Sequence, residues 1–307
     1  MSKLPFTVTA LVPVLLISQL QQDTAFTGQQ LNQQGMLAVN WVQQSGEYRA
    51  LTYQAFNLAK LTFHTAKSKN ISRPAIIVDI DETVLDNSAY QAGLLDSNKG
   101  YETTTWNQWI KAEKAKAVPG AVEFANYVNK NGGKVFFISN RNQKSVKTSK
   151  LNDLETATIN NLKAVGFTEV NENTVLLKGE FSKLINGKED NSKQWRIDAV
   201  KNGSADKTKY TIVALIGDNL NDFDETAGNN NQQRRDFVDK NRNFYGMFNV
   251  NKGTIHPAYI AMPNPMYGNW ETGMYNFKAF NKQTAFDMTP AERNQQRRES
   301  LNRWKPK

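Results

Sequence analysis

The chain has 307 residues, 39% of them hydrophobic, and a formal charge of +9, so it holds enough apolar material for a substantial buried core and reads as a folded globular protein. It contains no cysteine, which excludes disulfides, thiolate metal sites and a cysteine nucleophile. Its lysines and arginines are scattered rather than gathered into a stripe, which argues against a nucleic-acid polymer as partner and leaves a bias towards small anionic ligands.

At the N-terminus, Lys3 precedes an apolar stretch from Phe6 to Ile17 that ends in small and polar residues. This is the pattern of a secretory signal over residues 1–22, with an ordinary N-terminal helix as the alternative. The stretch is short for a membrane span. Gln19 stands where a lipid-attachment box needs its acylated cysteine. The mature protein is therefore expected to be exported, soluble or peripheral, and without a lipid anchor.

Residues 23–307 read as one domain. Leu51, Ala55, Leu58, Ala59 and Phe63 recur at helical spacing and predict a helix over 43–67. The period then changes: Ala75-Ile76-Ile77-Val78 is a short β-branched run, as expected of a central parallel strand buried on both faces. Similar runs at 134–138, 174–177, 210–216 and 258–262 are separated by segments long enough for crossover helices. The alternation predicts an α/β fold with a doubly wound, mainly parallel sheet. The insertion at about 86–118, with Tyr101, Trp106 and Trp109, is too long for a turn and predicts a small, mostly helical cap. Residues 228–233 read as a polar, Asn-rich loop, and the charged run 293–307 as a solvated helix face.

In an open parallel sheet, ligands bind at the carboxyl ends of the strands. The first strand ends in Asp79-Ile80-Asp81-Glu82-Thr83, the second in Ser139-Asn140-Arg141, and the 210–216 strand in Gly217-Asp218-Asn219-Leu220-Asn221-Asp222. Aspartates converging at one edge repel one another unless a cation neutralises them, and an all-oxygen ligand set selects magnesium. The Asp-x-Asp spacing suits a nucleophile, Asp79, followed by a general acid and base, Asp81. Mg2+ is expected on Asp79, the backbone carbonyl of Asp81 and Asp218, with Asp222 completing or orienting the shell. An isolated strand-end Asp is more often a cap or turn residue, and Ser139 can also be read as a helix cap. His64 and His256 fit helix packing and a turn better than ligation.

DIDETVLDNS, FFISNR, NSKQWR and GDNLNDF resemble, in order and in strand context, the motifs of the haloacid dehalogenase superfamily, specifically the class C acid phosphatases. AVNWVQQSGEYRALTYQA, AVPGAVEFANYVN and PMYGNWE are similar to its outer-membrane lipoprotein branch, and the likeness covers most of the chain. The resemblance implies a Mg2+-dependent phosphomonoesterase working through an aspartyl-phosphate, with nicotinamide mononucleotide and related nucleoside monophosphates as substrates. It also implies Asp79 as nucleophile, Asp81 as acid and base, and Asp218 and Asp222 as the metal pair. Ser139 and Asn140 would hold phosphate oxygens together with Lys193, for which Lys178 is the rival. Trp106 and Tyr267 would sandwich the base, with Tyr101 nearby, while Asn87 would contact the ribose or brace the cap. A homodimer and peripheral outer-membrane association follow from the same likeness. The chain departs from the pattern in its missing lipid-box cysteine, in a longer connection through 179–190, and in Asn221 where an aspartate is frequent. Two further readings stand beside it: a surface haem- or ligand-binding protein with a degenerate site, and a phosphotransferase of the superfamily.

Overall fold

The computed structural model describes residues 26–306, so the signal-like stretch 1–22 lies outside the described residues. Three helices lead in: α1 (Gly28–Gln33), α2 (Met36–Gln44) and α3 (Gly46–Ser68). Ser45 separates the last two because its hydroxyl accepts the Tyr48 amide at 3.1 Å and caps α3. The helix expected over 43–67 therefore begins three residues later. Ala55, Ala59, Phe63 and Ala66 form its buried stripe.

The chain then enters β1 (Pro74–Val78), buried at every position. The excursion that follows is closed at its neck by β2 (Leu85–Asp86) and β3 (Lys116–Ala117), which pair antiparallel, and it carries α4 (Ser88–Leu94) and α5 (Thr103–Ala112). Beyond it come α6 (Ala121–Lys130), β4 (Lys134–Asn142), α7 (Asp153–Ala164) and β5 (Val175–Lys178). The long connection through 179–190 is an exposed hairpin of β6 (Lys183–Ile185) and β7 (Lys188–Asp190), which leads into α8 (Lys193–Asn202). β8 (Thr211–Gly217), α9 (Asn231–Lys240), the hairpin β9 (Asn249–Asn251) and β10 (Thr254–His256), and β11 (Ala258–Ala261) follow. The chain closes with α10 (Asn269–Thr272) and α11 (Pro290–Glu299).

All five expected strands join one parallel sheet in the order β11-β8-β1-β4-β5. Side chains alternate between its faces, as strand geometry demands. Ile76, Val78, Val135 and Phe137 pack with Phe63 of α3 and Phe124 and Val128 of α6. Ala75, Ile77, Phe136 and Ile138 pack with Ile197 and Val200 of α8 on the other face. The sheet is doubly wound. The chain runs outward from β1 to β4 and β5, then returns to β8 on the opposite side of β1. Connections therefore diverge at the carboxyl ends of β1 and β8, and a crevice opens there.

Two expectations are corrected. The Asn-rich stretch 228–233 is not all loop, because the Asn230 side chain accepts the Gln233 amide and starts α9 at Asn231. The C-terminal run is helical only to Glu299, and its Arg297 is an anchor, with Glu271 and Tyr275 as partners. Among the described residues, no helix is long and apolar enough to cross a membrane.

Candidate active site

Asp79 leaves β1 with its amide still bonded to the Ile216 carbonyl of β8 at 2.9 Å, so the sheet itself fixes the backbone of the proposed nucleophile. Across the crevice, β8 ends in Gly217 and Asp218. A Cβ on Gly217 would lie 2.3 Å from the Asp222 carboxylate, so only glycine allows the short turn Leu220–Asp222 to fold back over the strand. Asp222 is held there by the Asn219 amide at 3.0 Å. Carboxylate oxygens of Asp79, Asp218 and Asp222 lie within 4.8 Å of one another.

Lys193, the first residue of α8, inserts its ammonium between two of them. Nζ donates to Asp79 and, at 2.6 Å, to Asp222, and the residue is only 4% exposed. Lys178, the rival phosphate-binding lysine, ends β5 pointing outward and is exposed. Of the two, Lys193 is the one that reaches the carboxylate cluster. One ammonium against three carboxylates leaves a residual charge near −2 when all are ionised. Burial, and then the carboxylates of Asp222 and Asp81, push Asp79 up to about 7 against the opposing pull of Lys193. Burial, Asp222 and Asp79 raise Asp218 well above the usual carboxylate range. Burial alone would depress the Lys193 ammonium, but contacts with Asp222 and Asp79 outweigh it and raise it. An all-oxygen trio with two surplus negative charges fits a hard divalent cation.

Asp81 stands apart from the trio and is clamped. Arg141 grips it with Nε at 3.0 Å and Nη2 at 2.7 Å, the Asn87 amide donates at 2.8 Å, and the Ser139 hydroxyl donates at 3.3 Å. Such a bidentate guanidinium fixes the orientation of a carboxylate as well as its position. Arg141 was legible only as the end of a strand, because its partner lies 60 residues earlier. Glu82, also missed, adopts a left-handed φ of 58° and is buried beneath Asn87. Burial, then Asp81 and Asp218, raise Glu82 well above the ordinary carboxylate range.

Asn87 has no exposed surface, and its side chain also accepts the Trp109 indole N–H at 2.8 Å. The expected ribose contact therefore gives way to the other reading, a brace between the insertion and Asp81. Replacing Asn87 with alanine orphans buried partners, and is expected to cost about 2–3 kcal/mol of stability and to lower kcat roughly tenfold with little change in KM. Urea unfolding and steady-state kinetics check this.

Ser139 is buried and caps no helix. Its hydroxyl accepts the Arg141 amide while donating to Asp81, and its carbonyl accepts from the buried Arg196. Asn140 is exposed and accepts from Arg196 at 3.0 Å. Burial brings Arg196 down to about 10.

The aromatic sandwich is not assembled in this conformation. Trp106 is only 9% exposed, packed edge-on to Tyr90 and covered by the Arg141 guanidinium, whose Cζ is 5.6 Å from the ring centroid. Tyr267 turns its hydroxyl onto Glu82. Tyr101, at 56%, is the open aromatic side chain of the insertion.

A family model described as HAD superfamily, subfamily IIIB (Acid phosphatase), matches residues 16–270. The chain belongs to that family of acid phosphatases. Its members are phosphomonoesterases that use a divalent metal, and the Asp79, Asp218 and Asp222 cluster is able to bind one. Two solved structures of the class C acid phosphatase from Bacillus anthracis are similar to this acid phosphatase. One is 32% identical with a TM-score of 0.72, and the match covers 90% of this chain and 99% of that one. The other, with tungstate bound, is 31% identical with a TM-score of 0.71 and the same coverage.

Proposed function

We propose that this phosphomonoesterase hydrolyses nucleoside monophosphates, with Asp79 as nucleophile, Asp81 as general acid and base, and magnesium as the divalent ion. An Asp79 carboxylate oxygen attacks phosphorus as the ester P–O bond breaks, and Asp81 delivers a proton to the departing alkoxide. Water then attacks the aspartyl-phosphate, Asp81 takes its proton, and Asp79 is released with inorganic phosphate. Lys193 and the Ser139–Asn140 segment of β4 hold phosphate oxygens. Asp79, Asp218 and Asp222, with the backbone carbonyl of Asp81, would hold Mg2+, which offsets phosphate charge when bound. The contact of Lys193 with Asp79 and Asp222 beside a three-carboxylate cluster carries this reading. Tungstate in the similar Bacillus structure supports it, being a tetrahedral oxyanion like phosphate.

The insertion at about 86–118 serves as the substrate cap. Its open Tyr101, together with Tyr267 on the segment before α10, suits a leaving group that carries an aromatic ring, such as the adenosine of AMP or the nicotinamide riboside of nicotinamide mononucleotide. Trp106 joins them only if it swings out of its packing. Export, peripheral outer-membrane association and a homodimer complete the proposal; sedimentation of the mature protein as a monomer alone would remove the dimer.

Metal addition provides a test independent of turnover. A folded-state value of about 7 for Asp79, against about 4 in an unfolded chain, means that the stability from its protonated form is complete below pH 4. That contribution is lost as pH rises through 7. Magnesium favours the ionised form, so the rise in Tm on adding it is expected to be larger at pH 7.5 than at pH 5. An increment that is equal at both, or absent, contradicts the metal assignment.

A further inference from the structure

The first described helix is short, self-capped and attached to neither face of the sheet. Thr27 and Gln30 form a reciprocal capping box, leaving the outer side chains of α1 free for other partners. Those partners lie far away in sequence. The Asn32 side-chain amide donates to the carbonyls of Leu94 at 3.0 Å, Ser97 at 2.9 Å and Lys99 at 3.0 Å. Leu94 is the last residue of α4, whose terminal carbonyls have no partner within their own helix, so Asn32 caps that helix from another part of the chain. Gln29 N–H adds a bond to the Asn98 side chain at 3.2 Å. Gly28 sits so close to the same loop that a Cβ there would lie 1.9 Å from the Asn98 carbonyl oxygen.

The other side of α1 is tied to the C-terminus. Arg297 of α11 donates to the Leu31 carbonyl at 3.3 Å and to Gln34 at 2.8 Å, and Gln34 donates to Asn294 at 2.7 Å. The same guanidinium binds Tyr275 and Glu271, on the segment that begins with Tyr267. Helix α1 thus bridges the loop that runs into Tyr101 and the segment that carries Tyr267.

We propose that α1 is a strap that fixes the width of the substrate mouth, with Asn32 as the positioning residue that pins the loop before Tyr101. Asn32 touches no reacting atom; it sets where the aromatic wall of the cap stands. The proposal rests on the reading of Tyr101 and Tyr267 as contacts for the leaving group.

The test compares the full-length protein with Asn32→Ala and with the isosteric Asn32→Asp, which keeps the size and removes the donors. Amide exchange over 94–102 is expected to accelerate about tenfold in both variants. The KM for AMP is expected to rise about fivefold, a fraction of what the three lost contacts cost the loop. The KM for O-phosphoserine, too small to reach the cap, and kcat for both esters should stay unchanged. Unchanged exchange would overturn the strap. Faster exchange with an unchanged KM for AMP would overturn the positioning role and the Tyr101 contact together, while unchanged metal-dependent hydrolysis of both esters leaves the nucleophile assignment standing.

Discussion

Asp79→Asn is expected to lower kcat for every phosphate ester by at least about 10⁴-fold, the usual scale for loss of a covalent nucleophile. The fold should survive. Asp79 is buried and pushed up to about 7, so a neutral isostere removes a charge that the folded protein already disfavours. Lys193 keeps Asp222 as its partner at 2.6 Å. The variant is therefore expected to unfold in urea at a midpoint close to that of the wild type, and in metal-free buffer above pH 7 at a higher one. Loss of activity accompanied by loss of cooperative unfolding would point to a structural role for Asp79.

Lys193→Met has the opposite signature, because it removes the cation and leaves the carboxylates. Breaking a buried ion pair by deleting one partner typically costs about 3–5 kcal/mol. The cost here should depend on pH. Without Lys193, which lowers the Asp79 value, the acid form is favoured still further. The variant is expected to be less destabilised at pH 5, where Asp79 holds its proton, than at pH 7.5. Magnesium should recover part of the loss. Phosphate release should fall by roughly 10³-fold, as when a fixed donor to a transferring group is removed. Urea unfolding at the two pH values and steady-state kinetics read both effects; equal stability at both would show that Lys193 bears no charge on Asp79.

The sheet was legible because β-branched runs such as Ala75–Val78 and Thr211–Ile216 are buried on both faces and need no partner information to be recognised. The aspartates were legible because the carboxyl ends of those runs converge in any doubly wound sheet. Their surroundings were harder to read. The Arg141 clamp on Asp81, the Tyr267 contact with Glu82 and the Asn32 cap on α4 join residues 60, 185 and 62 positions apart. No local period encodes such pairs. Trp106 shows the same limit: its type suits a ligand ring, but its neighbours Tyr90 and Arg141 give it a packing role in this conformation. Asn87 was read both as a ribose contact and as a brace, and only its complete burial separates the two.

In the proposed reaction, phosphate passes through Asp79. Rapid acid quench of the enzyme with AMP and magnesium, followed by reduction with tritiated borohydride, which converts an aspartyl-phosphate into labelled homoserine with release of phosphate, and then by peptide mapping, reads this out. Transient label is expected on the peptide that contains Asp79, absent in EDTA and absent in Asp79→Asn. Steady phosphate release with no labelled peptide, or label on another residue, would contradict it.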